Sequence, residues 1–142
     1  MAAEKRRAKR IFLNAPATIE VIRQPEVHLP EALTRVYERV RSDDALVGEH
    51  FLGVIRDLST NGAFIAGDPL PLLSRVAITF PLEGYGQVDA IGWVLWLRAD
   101  DCEIPDASGA PVRLSKGFGV LFEAIPLDAR LHIHELVRAA AD

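Results

Sequence analysis

Apolar and polar side chains alternate along residues 17–23 (ATIEVIR), and five further strand-like runs follow at 51–58, 63–66, 75–80, 87–99 and 116–123. Alternation with period two marks a strand with one buried face. Ser59-Thr60-Asn61-Gly62 and Glu83-Gly84-Tyr85-Gly86 supply turn chemistry between neighbouring runs. Parallel strands need a crossover of about a dozen residues or more, which such links exclude. The expectation is therefore a mainly β chain folded as a six-stranded antiparallel barrel.

Two helical segments interrupt this pattern. Leu29, Leu33, Val36, Tyr37 and Val40 recur at three- and four-residue spacing opposite Glu31, Arg35, Glu38 and Arg39, which predicts an amphipathic helix over 30–41, inserted after the first strand. Residues 126–141 repeat the period through Ile133, Leu136, Val137 and Ala140, with Pro126 suited to a first turn. Pro16 and Pro25 are expected to limit the first strand, Gly92 to mark a bulge or bend, and residues 100–115 to form a polar loop.

At 142 residues, 49% of them hydrophobic, the chain suits one domain with an adequate core. Its expected parts are a basic arm at 1–10, the helical insertion at 24–50 and the terminal helix at 126–141. No apolar run approaches the ~18 to 20 residues of a membrane span. The single cysteine, Cys102, excludes an internal disulfide and a multi-cysteine zinc site. These features lead to the expectation of a cytoplasmic protein.

Charge is distributed unevenly. The first ten residues hold Lys5, Arg6, Arg7, Lys9 and Arg10 against Glu4, whereas the whole chain has a net charge of -4. Such an arm on an acidic body suits a solubilising tail, a contact with polyanionic nucleic acid or lipid, or a grip on one small anion.

Arg6-Arg7-Ala8-Lys9-Arg10 and Asp57-Leu58-Ser59-Thr60-Asn61-Gly62 resemble the two signatures of the PilZ domain, RxxxR and DxSxxG. Ala63-Phe64, Gly92-Trp93-Val94-Leu95-Trp96 and Gly117-Phe118-Gly119-Val120-Leu121-Phe122 are similar to later strands of that family, so the resemblance spans most of the chain. It implies a PilZ-like barrel that receives cyclic di-GMP, with Arg6, Arg7, Arg10, Asp57, Ser59 and Gly62 in the ligand site. The implied action is closure of the arm over the ligand against the strand-turn, altering contact with a protein effector.

The residue chemistry fits this implication. Cyclic di-GMP offers two phosphodiester charges and two guanine edges. Arginine forks meet phosphate oxygens or guanine O6 and N7 and stack on purines. Asp57 at a strand end can accept from guanine N1-H and N2-H, and the Ser59 hydroxyl can bond a phosphate oxygen or amine. Gly62 suits positive φ or close ligand approach. The competing reading keeps the same barrel as a protein-interaction domain without nucleotide binding, since Asp, Ser and Asn-Gly are also ordinary turn formers.

Other signals point elsewhere. His132 and His134, two apart on a helix, face different sides and cannot easily share a metal. The acids at 100–106 lack calcium-loop spacing, Cys102 has no histidine partner, and Trp93 and Trp96 read as core residues at different depths. Neither catalysis, a cofactor nor a metal is expected, and the acidic body disfavours long nucleic acids. The Leu33, Val36, Tyr37 and Val40 stripe offers a homodimer face.

Overall fold

A computed structural model describes residues 10–25 and 44–141. Within them lie eight strands, β1 (Ile11–Ile22), β2 (His50–Leu58), β3 (Gly62–Ala66), β4 (Arg75–Leu82), β5 (Gly86–Arg98), β6 (Cys102–Pro105), β7 (Pro111–Leu114) and β8 (Gly117–Ala124), followed by helix α1 (Leu127–Ala141). Six of the strands close into a barrel in the order β1-β2-β3-β8-β5-β4. Every pairing around it is antiparallel, and β1 against β4 completes the ring.

Alternation builds the core. Ala15, Ala17, Ile19 and Val21 of β1 point inward, as do Val76, Ile78, Phe80 and Leu82 of β4. Ile55, Leu58, Ile65, Val88 and Val94 join them, and α1 adds Ala129, Ile133 and Val137 at four-residue spacing. Each fully buried Ile, Val or Phe contributes roughly 1.5–3 kcal/mol. Ala140, assigned from its spacing to the buried face of the helix, is exposed near its end instead.

The first strand begins earlier than Pro16 led us to expect. Pairing with β2 runs from Ile11, whereas β4 joins only from Thr18 onward. Pro16 thus sits where β1 has a neighbour on one side only, and a missing N–H is tolerated at such an edge. The register shift between Phe12 and Ala15 marks an irregularity there as well.

Residues 100–115 are not a featureless loop. They contain the two-stranded hairpin of β6 and β7, paired from Cys102 with Leu114 to Pro105 with Pro111. Its residues are nearly all exposed, so it has no inward face to impose an alternating pattern. Its tip is held by Asp106, whose Oδ1 accepts from the amides of Ser108 (2.8 Å) and Ala110 (3.0 Å). Its base is held by Asp101 Oδ1, which accepts from the Lys116 amide at 2.8 Å.

The helix predicted at 30–41 lies outside the described residues. The returning chain forms a 3-10 turn, Asp44–Leu46, and meets β1 again where the Gly48 amide donates to the Val21 carbonyl at 2.8 Å. At the opposite end of β5 from Trp96, the β4–β5 turn is tied to α1. Tyr85 Oη donates to Asp128 at 2.8 Å, and His132 Nε2 lies 2.7 Å from the Glu83 carbonyl.

Candidate functional site

Two bulges decide which side chains reach the outer face near the ends of β1, β2 and β5. Along β2, Ile55 pairs with Ile65 and Asp57 with the very next residue back, Phe64, leaving Arg56 as the extra residue. Ile55 and Leu58 can then both be buried, while Asp57 turns out of the core. Along β5 the register shifts between Val94 and Trp96, so Val94 stays inside and Trp96 is turned outward.

The result is one row of residues across five strands. Phe12 pairs with Asp57, Asp57 with Phe64, Phe64 with Gly119, and Gly119 with Trp96. Gly119 brings the two aromatic residues together. A Cβ there would meet Trp96 Nε1 at 1.9 Å. With no side chain between them, Phe64 and Trp96 stack at 5.1 Å between ring centroids and 17° between planes. The Arg98 guanidinium lies 4.8 Å from the Phe64 centroid and 5.4 Å from that of Trp96, within cation–π reach of both.

Arg10 approaches Asp57 from just before β1, with Nη1 3.7 Å from Oδ1. Burial is the largest influence on Asp57 and pushes its carboxyl above the usual carboxylate range. The Arg10 charge, the Phe64 amide and the Arg98 charge, in that order, oppose the shift without cancelling it. An ionised Asp57 is thus incompletely compensated. Additional N–H donors would stabilise it.

Ser59 and Gly62 organise the turn beside this carboxylate. The Ser59 amide donates to the Gly62 carbonyl at 2.9 Å, and Ser59 Oγ accepts from the Gly62 and Asn61 amides at 3.2 and 3.3 Å. Of the two conditions expected to suit a glycine at 62, positive φ or close ligand approach, positive φ is absent. Gly62 is instead required by the neighbouring strand, because a Cβ would lie 2.1 Å from the Val120 carbonyl oxygen.

Arg10, Asp57, Ser59 and Gly62 line one groove of about 470 Å³, whose floor includes Phe64 and Trp96. Arg6 and Arg7 lie outside the described residues. Trp93 and Trp96, both expected in the core, are half-buried and 44% exposed respectively, and Phe64 and Arg98 have no place in the site as the sequence alone presents it. The signal for Phe64 and Trp96 is Gly119, a side-chain-free position on the outer face of β8 between the buried residues Phe118 and Val120, and no such signal marks Arg98. Trp93 is engaged elsewhere, its Nε1 donating to Glu123 at 2.8 Å while Arg75 forks the same carboxylate. Among the described residues no cluster of His, Cys, Asp and Glu is arranged to hold a metal.

No protein-family model and no curated protein matches the chain. Among solved structures it is similar to the PilZ domain with c-di-GMP of YcgR from Escherichia coli, with TM-score 0.54 and 12% identity over 95% of this chain and 90% of that one. It is also similar to the Bacillus subtilis inhibitor of motility MotI/DgrA, with TM-score 0.57 and 10% identity. MrkH, a c-di-GMP-dependent transcription regulatory factor, matches with TM-score 0.56 and 15% identity. The match covers 96% of this chain but 51% of each of these last two, so the chain spans about half their length. The closed six-stranded barrel with its terminal helix is the fold of a PilZ domain.

Proposed function

We propose that this chain is a cyclic di-GMP receptor and adaptor, and that its ligand is held between the Arg6, Arg7 and Arg10 arm and the strand-turn at Asp57, Ser59 and Gly62. The observation that carries this reading is the meeting of Arg10 and Asp57 in one groove over the Phe64–Trp96 stack. These groups match three demands of a guanine dinucleotide: cations for phosphate, a carboxylate for the guanine N1-H and N2-H donors, and an aromatic edge for a planar base. The c-di-GMP in the YcgR domain, which shares the fold, adds weight.

In this reading Asp57 selects guanine, because adenine lacks the paired donors. Ser59 holds the turn that aims Asp57, and Gly62 lets β3 lie close to β8. The output passes to a protein effector when the arm folds onto the ligand, and the domain itself performs no catalysis. Nucleotide binding separates this reading from an interaction domain of the same fold.

Isothermal titration with cyclic di-GMP, GTP, cyclic GMP and a short RNA tests it. We expect cyclic di-GMP alone to bind at tens of micromolar protein, and Arg6→Ala/Arg10→Ala to lose that binding while keeping the wild-type circular dichroism. Absence of binding in the wild type, or undiminished binding in the double variant, defeats the proposal. Salt-sensitive binding of RNA in preference to cyclic di-GMP defeats it too.

A further inference from the structure

A second groove, of about 670 Å³, adjoins the first and shares Arg10, Asp57, Phe64 and Trp96 with it. Its other wall is the β6–β7 hairpin, through Val112, Arg113, Leu114 and Ser115. Arg56 and Arg98 complete the lining, so four arginines face a single carboxylate on a chain whose net charge is -4. Among the described residues Arg113 is paired with Asp101 at 3.6 Å, whereas Arg56 and Arg98 have no carboxylate within ion-pair distance.

Those two arginines are positioned by neutral groups. Arg56 donates to Asn14 Oδ1 across the β1–β2 pair. Arg98 Nη1 donates to the Ser115 carbonyl at 2.9 Å while its guanidinium lies against the aromatic stack. Both retain N–H groups for a further acceptor, since guanidinium has five donors. Cations held in fixed directions beside low-dielectric rings attract an anion more strongly than the same cations in water.

We propose that this second groove is a phosphate subsite for the ligand, and that the β6–β7 hairpin is thereby a ligand-contacting element. The inference rests on the cyclic di-GMP reading above and extends it to Arg56, Arg98 and Arg113. Arg10, Asp57 and Trp96 line both grooves, whereas Arg56, Arg98 and Arg113 line only the second, so a phosphodiester leaving a base at Trp96 toward the hairpin meets Arg98 and Arg113. Because Arg98 binds the hairpin through the Ser115 carbonyl, ligand contact is felt along β7 and across to its partner β6.

Cys102, the chain's one cysteine, sits exposed on β6 opposite Leu114 and serves as a local reporter. The experiment labels Cys102 with an environment-sensitive thiol fluorophore and titrates cyclic di-GMP, following the label and tryptophan fluorescence together. In the wild type both signals should change with the same midpoint. Arg113→Glu, at an exposed position that leaves the barrel intact, should weaken binding 5- to 20-fold and abolish the Cys102 response, while Arg113→Lys restores most of both. Arg56→Ala should weaken binding 3- to 10-fold. Normal affinity in both Arg113→Glu and Arg56→Ala overturns this subsite but leaves the cyclic di-GMP reading standing. A wild type silent in both signals and in calorimetry removes the two together.

Discussion

Asp57 meets opposing demands. Burial raises its carboxyl above the value it has in the unfolded chain, and the charges of Arg10 and Arg98 recover only part of the cost. The folded state therefore binds a proton more readily than the unfolded state in the pH interval between the two values. Over that interval stability falls as pH rises, and above the folded value the penalty is complete. Asp57→Asn removes the ionisation cost, so its urea midpoint at neutral pH should equal or exceed that of the wild type. Its affinity for cyclic di-GMP should drop roughly 10- to 100-fold, since hydrogen bonds to a charged group contribute about 1.5–3 kcal/mol each. A guanine edge that donates to the carboxylate lowers its proton affinity, so ligand binding must strengthen as pH rises from about 4 through the folded value and then level off. Calorimetry across pH 4 to 7.5 checks this. Flat affinity in wild type, or an Asp57→Asn variant that binds normally, contradicts the role given to the carboxylate. The motif makes Asp57 recognisable, but Phe64 and Trp96 are marked only indirectly, by the glycine at 119, because which side of a strand a residue occupies depends on bulges that composition does not reveal.

Among the strands, two glycines separate structural from ligand-facing needs. At Gly62 an added Cβ would meet a backbone oxygen, Val120 O at 2.1 Å, and neither strand can yield without losing its pairing. At Gly119 the obstacle is the Trp96 side chain, with Nε1 at 1.9 Å, which can swing off the stack. Gly62→Ala should consequently destabilise the barrel by about 2–4 kcal/mol, in the range of overpacking with backbone displacement. Gly119→Ala should keep the urea midpoint close to wild type, shift the tryptophan emission and weaken cyclic di-GMP binding several-fold. Equal losses of stability in the two variants would contradict the distinction. The barrel strands were legible because one face of each is buried and writes period two into the sequence. The β6–β7 hairpin was not, since Ile104 and Val112 are exposed and its pairing draws on turn bonds at Asp106 instead of a core. Pro16 misled for a related reason, in that β4 pairs with β1 only from Thr18 onward.

Across the whole molecule, β5 connects two working ends. Near Gly86 its preceding turn is bound to α1 through Tyr85 and Asp128, and ten residues later Trp96 stands in the ligand row. At a strand rise of about 3.3 Å per residue these ends are roughly 33 Å apart. The helix contributes Ala129, Ile133 and Val137 to the common core, so its loss weakens the entire barrel. It contributes nothing to either groove. Stability and ligand affinity should accordingly separate at this distance. Ile133 is fully buried, and Ile133→Ala should lower stability by about 2–5 kcal/mol, the usual cost of such a cavity. At temperatures where the variant remains folded, its affinity for cyclic di-GMP should stay within twofold of wild type, because the helix lines neither groove and separated sites act additively. Urea unfolding and calorimetry on the same preparation measure both quantities. A tenfold loss of affinity in folded Ile133→Ala would show instead that the helix and the ligand row are coupled through β5, and that the barrel works as one responsive body.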